Sequence, residues 1–213
     1  MNKYLVEFIG TFFLVLTIGM VVIDAPNSPA APAGTAPIAI GSILMVMIYA
    51  GGHISGAHYN PAVTLGVCMR GKCEYKDMIP YMASQILGAV LAGVVIKYFK
   101  AGATITAISH NAPASLLVEV LFTFALVFVV LNVATLDSKS GNSFYGLAIG
   151  FTVTAGAYAV GSISGGAFNP AVAIGISFLG LSSWGDIWIY LVGNFAGAIL
   201  AALTFKMINK NEA

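Results

Sequence analysis

The chain has 213 residues, 59% of them hydrophobic and only 8% charged, where an ordinary soluble domain carries about 25% charged residues. Nine Lys and Arg against eight Asp and Glu give a formal charge of +1, which leaves no basic stripe for nucleic acid. A mean hydropathy of +0.92 with 24 glycines instead points to a bilayer as solvent and to helices packed closely through small residues.

Stretches without Asp, Glu, Lys or Arg run over 8–23, 25–69, 78–96, 101–118, 120–136, 140–185 and 187–205. Only Lys3 precedes the first apolar run, Phe8 to Ile23, and nothing like a small-residue cleavage site followed by a soluble body comes after it. We therefore read a retained first transmembrane helix and not a signal peptide. A crossing needs about 20 residues, so the stretches of 45 (25–69) and 46 (140–185) residues each hold one crossing and something more. That remainder contains Gly-Gly-His-Ile-Ser-Gly-Ala-His-Tyr-Asn-Pro at 51–61 and Gly-Ser-Ile-Ser-Gly-Gly-Ala-Phe-Asn-Pro at 161–170. Gly and Pro at this density break helices, and broken backbone at membrane depth is tolerated only against protein or a wet cavity. The apolar pattern then resumes over Ala62 to Arg70 and Ala171 to Gly180. That is about 15 Å of helix, half of a hydrocarbon core about 30 Å thick, and predicts two re-entrant half-helices. Full crossings are predicted at 4–23, 36–52, 78–98, 114–135, 143–161 and 186–207, giving an all-α membrane protein with six transmembrane helices.

An offset of 109 superposes Gly41 on Gly150, Ser55 on Ser164 and Asn60-Pro61-Ala62-Val63 on Asn169-Pro170-Ala171-Val172, with 13 of 29 positions identical between 40–68 and 149–177. The first helices match at a slightly longer offset, Glu7 on Glu119. The chain thus reads as one domain, 1–213, built of repeats 1–100 and 112–213. Three crossings per half turn the second half upside down relative to the first. Lys3, Arg70, Lys72, Lys76, Lys139, Lys206 and Lys210 fall on one side and only Lys97 and Lys100 on the other, so both termini are expected to be cytoplasmic.

Proline suits a first helical turn and Asn the position before it. One Asn-Pro would read as the cap of a buried helix. Two facing starts place two positive dipole ends and two amides around one point, which donates hydrogen bonds to a neutral solute and repels cations. Glu7 and Glu119, inside apolar helices, read as acceptors that brace the re-entrant loops. His53 and His58 read as lining of a cytoplasmic vestibule, and His110 as solvated in the loop joining the halves. Cys68 and Cys73 lack the ligand spacing of a metal site, and no cofactor is expected. No Asp or Glu neighbours either Asn-Pro-Ala in sequence, so the coupling group of a secondary transporter is missing, and no nucleophile, base and acid cluster as in an enzyme.

Ser-Gly-Ala-His-Tyr-Asn-Pro-Ala-Val-Thr (55–64) and Ser-Gly-Gly-Ala-Phe-Asn-Pro-Ala-Val (164–172), with Glu7 and Glu119, resemble the aquaporin (major intrinsic protein) family over essentially the whole chain. The resemblance implies a right-handed bundle of six helices, a homotetramer with one pore per subunit, and passive conduction. It also implies an outer selectivity filter, which falls on Ile40, Ala157, Gly166 and Val172. Water-selective members carry an aromatic, a His, a small residue and an Arg there, whereas the one arginine of this chain is Arg70. The expected filter is wide, apolar and uncharged, passing water and small uncharged solutes across a cell membrane. The alternative is a facilitator mainly for glycerol, urea, ammonia or neutral metalloid acids.

Overall fold

The computed structural model describes residues 1–139 and 141–210. Among the described residues eight α-helices follow in chain order: α1 Asn2–Val22, α2 Ala36–Ser55, α3 Pro61–Met69, α4 Tyr75–Phe99, α5 Ala112–Ala134, α6 Tyr145–Ser164, α7 Pro170–Phe178 and α8 Ile187–Ile208. Among the described residues six helices are long and apolar enough to cross a membrane. Helices α3 and α7, nine residues each, are about 14 Å long at 1.5 Å per residue and reach only halfway.

Exchanging the halves leaves the packing unchanged. Helix α1 lies on α4 as α5 lies on α8, α2 lies on α6, and each half-helix packs against the last helix of the other half, α3 on α8 and α7 on α4. Glycines set these crossings. A Cβ on Gly88 would overlap the Phe8 carbonyl of α1, and one on Gly197 would sit 2.5 Å from the Val120 carbonyl of α5. Between the halves, Gly41 and Gly150 face each other's carbonyl oxygens, where a Cβ would come within 2.6 and 2.5 Å. Such close approach lets backbones pack through dispersion where lipid offers no hydrophobic drive.

Helix α2 runs on to Ser55, past Gly51 and Gly52, where the sequence reading ended the crossing. The pair stays helical because Gly51 is packed: its missing side chain leaves room for the Tyr59 hydroxyl and Val6. The helix stops at Gly56, whose left-handed φ of 84° closes it with an N–H bonded to Gly52 O. Gly165, at φ 87°, ends α6 in the same way.

Lys3 Nζ and Tyr4 Oη bond the two Asp77 oxygens, each at 2.6 Å, and the Arg70 guanidinium lies 5.0 Å from the Phe205 ring centre. The start of α1, the end of α3, the start of α4 and the end of α8 therefore share one face, here the terminal face. The opposite face carries the connections 23–35, 100–111 and 179–186. There the buried Lys100 ammonium donates to the Ser28 and Pro29 carbonyls at 2.7 and 3.2 Å, strapping the first loop to α4.

Candidate functional site

The two Asn-Pro starts meet in the middle of the bundle. Asn60 and Asn169 precede the half-helices in extended backbone, and each Oδ1 accepts the N–H groups of the second and third residues after it: Ala62 and Val63 at 2.8 and 3.4 Å, Ala171 and Val172 at 2.9 and 3.4 Å. This fixes the amides with Nδ2 outward. Asn60 Nδ2 donates to the Phe168 carbonyl at 2.8 Å and Asn169 Nδ2 to the Tyr59 carbonyl at 2.9 Å. Each –NH2 has two hydrogens, so one tethers the opposite loop and the other is left for the lumen.

Two carboxylates hold the loops behind the asparagines. Glu7, fully buried, accepts from Ser55 Oγ (2.7 Å), His58 N (2.9 Å), Tyr59 N (2.6 Å) and Gln85 Nε2 (2.7 Å). Glu119, equally buried, accepts from Ser164 Oγ (2.7 Å), Ala167 N (3.0 Å), Phe168 N (2.8 Å) and Asn194 Nδ2 (2.7 Å). A carboxylate with four donors is the arrangement that makes a buried charge tolerable. The loops need it because Ala57, Tyr59 and Phe168 sit at positive φ (51°, 49° and 47°), a backbone state that costs about 1–3 kcal/mol for a residue other than Gly. Tyr81 and Tyr190, an equivalent pair, add a hydroxyl to the Ser55 and Ser164 carbonyls at 2.8 and 2.6 Å.

The aromatic residue before each Asn is seated by opposite means. Beside Tyr59, position 10 is Gly and a Cβ there would overlap the ring, while the Tyr59 hydroxyl reaches Met47 O at 2.9 Å. Beside Phe168 the repeat places Phe122, stacked at 5.4 Å, and the relief comes instead at Gly156, where a Cβ would meet the Phe168 ring at 2.6 Å. Small and large partners have traded places between the halves.

One cavity of about 120 Å³ runs along this axis. Ile40 from α2, Ala157 from α6, Gly166 from the second loop and Val172 from α7 line it together with Asn60, Asn169 and His58. Pro61, Ala62, Pro170 and Ala171 are buried first-turn residues of the half-helices and form no part of that wall. Towards the terminal face it opens, past Gly56 and His58, into a polar vestibule of about 320 Å³ lined by Lys72, Cys73, Asp77 and Tyr81. His58 stands at this neck, buried, with Nδ1 3.2 Å from Thr64 Oγ1 and its ring 5.1 Å from that of Tyr81. His53 is separate: exposed, it borders a wider recess with Lys72, Asp137 and Tyr145. Burial pushes the Cys73 thiol above its usual range, which leaves it a poor nucleophile.

His110 is not solvated as expected. Half-buried on the opposite face, it lies 3.3 Å from Ser115 Oγ and 3.2 Å from both Ser182 Oγ and Tyr190 Oη. Sequence reading also passes over Gln85, Asn194 and Tyr81 and gives Tyr190 no part in holding the loops, although the offset of 109 relates Gln85 to Asn194 and Tyr81 to Tyr190 and is a signal that pairs them. Ile108 and Leu181, which line the outer part of the cavity, lie in connecting segments with no such signal.

Six membrane-crossing helices around an axial cavity define a membrane channel. A family model described as Major intrinsic protein matches residues 1–205, and the chain belongs to that family of passive channels; it is not an enzyme. It is 36% identical over 215 residues to Aquaporin NIP1-4 of Oryza sativa subsp. japonica, covering 98% of this chain and 77% of the relative. It is 34% identical to Glycerol uptake facilitator protein-like 6 of Lactiplantibacillus plantarum, over the full length of both. The fold is shared with the aquaglyceroporin from Plasmodium falciparum, at a TM-score of 0.81 and 22% identity, covering 99% and 97% of the two chains.

Proposed function

We propose that the cavity conducts water and small uncharged solutes, with Ile40, Ala157, Gly166 and Val172 as its selectivity filter and Asn60 and Asn169 as its central hydrogen-bond donors. The observation that carries this is the shared lining: four apolar positions and both asparagines border one cavity. A solute entering it sheds water. The amides, and the carbonyls of the loop residues Gly56 to Tyr59 and Gly165 to Ala167 that also line it, replace those hydrogen bonds. The apolar side chains offer nothing to hold an ion. Both half-helices start at the asparagines, so their positive ends act together against cations. Glu7 and Glu119 brace the loops, His58 borders the inner vestibule, and His53 borders the wider recess beside it. The terminal face is cytoplasmic, and the protein works as a homotetramer in a cell membrane.

The test is light scattering from proteoliposomes after osmotic shock, for the protein and for Val172→Arg. Val172 opens the first turn of α7 on the lumen, and an arginine there adds a charge and five donors across the wall. Fast shrinkage with an impermeant osmolyte, then fast reswelling in urea or glycerol, is expected. The arginine should cut the reswelling by about an order of magnitude, a rise of about 1.4 kcal/mol in the barrier. A second reading, a facilitator mainly for glycerol, urea, ammonia or neutral metalloid acids, rests on the apolar lining and would appear as fast reswelling with slow initial shrinkage. Fast water flux without reswelling would overturn the assignment of the filter.

A further inference from the structure

Ile108 lies in the connection between the two halves, and its N–H donates to the Leu181 carbonyl in the turn after α7, at 3.0 Å. Ile105, three residues earlier, packs on the bundle core, whereas Ile108 borders the lumen beside Ile40, Ala157, Gly166 and Val172. Its tip reaches the second re-entrant loop: a Cβ placed on Gly165, next to Gly166, would stand 3.1 Å from Ile108 Cδ1. A branched side chain delivered from a loop thus lines the same cavity as the four filter positions and reaches Gly165, the neighbour of Gly166.

The proton inventory two residues on shows how that loop is held. Ser115 donates its single hydroxyl hydrogen to the Ile163 carbonyl at 3.0 Å and Tyr190 donates its own to the Ser164 carbonyl at 2.6 Å. Ser115 Oγ can then only accept from His110, which places the ring hydrogen on Nδ1, and the lone pair of Nε2 accepts from Ser182. One imidazole thereby ties the connecting loop to α5, to the turn after α7 and, through Ser115, to the Ile163 carbonyl near the end of α6, while the Tyr190 ring packs edge-on against it at 5.7 Å.

Resting on the channel reading above, we propose that Ile108 is a fifth wall of the outer constriction, a specificity-determining residue, and that His110 is the positioning residue that keeps it over the lumen. The opening set by the four filter positions is narrowed from above by an aliphatic side chain. Solute size is selected where the connecting loop meets the second re-entrant loop.

Proteoliposomes carrying Ile108→Ala, Ile108→Trp, His110→Ala and the double variant Ile108→Ala/His110→Ala test this by the ratio of urea to water permeability. Ile108→Ala should raise the ratio threefold or more and Ile108→Trp should lower it as much. His110→Ala should raise it in the parent but leave it unchanged in the Ile108→Ala background, a non-additivity that general loosening of the protein does not produce. As a second measurement, Ile108→Cys in a Cys68→Ser/Cys73→Ser background should lose most of its water flux to a bulky methanethiosulfonate added on the outer side, whereas Ser109→Cys should keep it. A conducting parent whose Ile108 variants keep its ratio, and whose Ile108→Cys form is blocked no more than the Ser109→Cys control, overturns this inference alone. A parent that conducts nothing overturns the channel reading and this inference with it.

Discussion

Glu119 shows at the level of one residue how a charge can be stable at membrane depth. Its two oxygens receive four donors, and two of these are main-chain N–H groups of a loop whose Phe168 is held at positive φ. In Glu119→Gln the amide keeps one acceptor oxygen and turns two N–H groups toward groups that also donate. Each buried donor that loses its acceptor costs about 1–3 kcal/mol, and relief of the buried charge offsets part of this. A net loss of about 1–3 kcal/mol is expected, read as a fall of several degrees in the detergent-solubilised Tm together with lower water flux. An unchanged Tm would mean that the loop does not depend on the carboxylate. Position 7 should answer in the same way, since Glu7 makes the equivalent four bonds. That both residues gather donors is legible in the sequence, because an acid inside an apolar helix has to find them. Gln85 and Asn194 escape such a reading, since an amide in a helix carries no charge to attract notice.

At the level of elements, the crossings are legible because charges interrupt the apolar runs, and the half-helices because a stretch of 45 or 46 uncharged residues exceeds one span. Helix ends are less so. Gly51 and Gly52 look like a break, but their meaning depends on Tyr59, in the loop beyond the helix, which occupies the space Gly51 vacates. The same dependence separates glycines that pack from those that do not. Gly41 faces the Gly150 carbonyl and the Thr154 hydroxyl, so Gly41→Ala must push α2 and α6 apart, at about 1–3 kcal/mol for overpacking. Gly161, also inside a helix, has nothing within 4 Å of an added Cβ, and Gly161→Ala should be neutral or stabilise by about 0.5–1 kcal/mol through reduced backbone freedom. Thermal unfolding of both variants in one detergent checks the contrast. Equal Tm values would show that the α2–α6 contact is not what limits stability. Sequence alone does not rank the two, because the difference lies in the facing helix.

For the whole molecule, the exchange symmetry of the packing has an electrical counterpart that it does not share. Equivalent turns close the two half-helices: Lys72 N bonds Val67 O at 3.1 Å, and Leu181 N bonds Ile176 O at 2.9 Å. Yet the first turn presents Lys72, paired with Asp137 at 3.0 Å, to a polar vestibule, and the second presents Leu181 to the apolar mouth. An inverted duplicate is nearly indifferent to which face meets the cytoplasm, so orientation has to come from residues that differ between the halves. Seven of the nine cations fall in segments at the terminal face, and Lys97 and Lys100 near the other. By the positive-inside rule that bias predicts opposite orientations for the two halves, with both termini inside. A fluorescent reporter fused to the C-terminus should therefore mature in the cytoplasm, and an alkaline phosphatase fused there should stay inactive. Neutralising Lys72 and Lys76 together while adding two lysines to the segment 103–107 should weaken the bias and yield a mixed population. Uniform phosphatase activity in the unaltered protein would place the Lys72–Asp137 vestibule outside, with the Ile108–Leu181 mouth facing in.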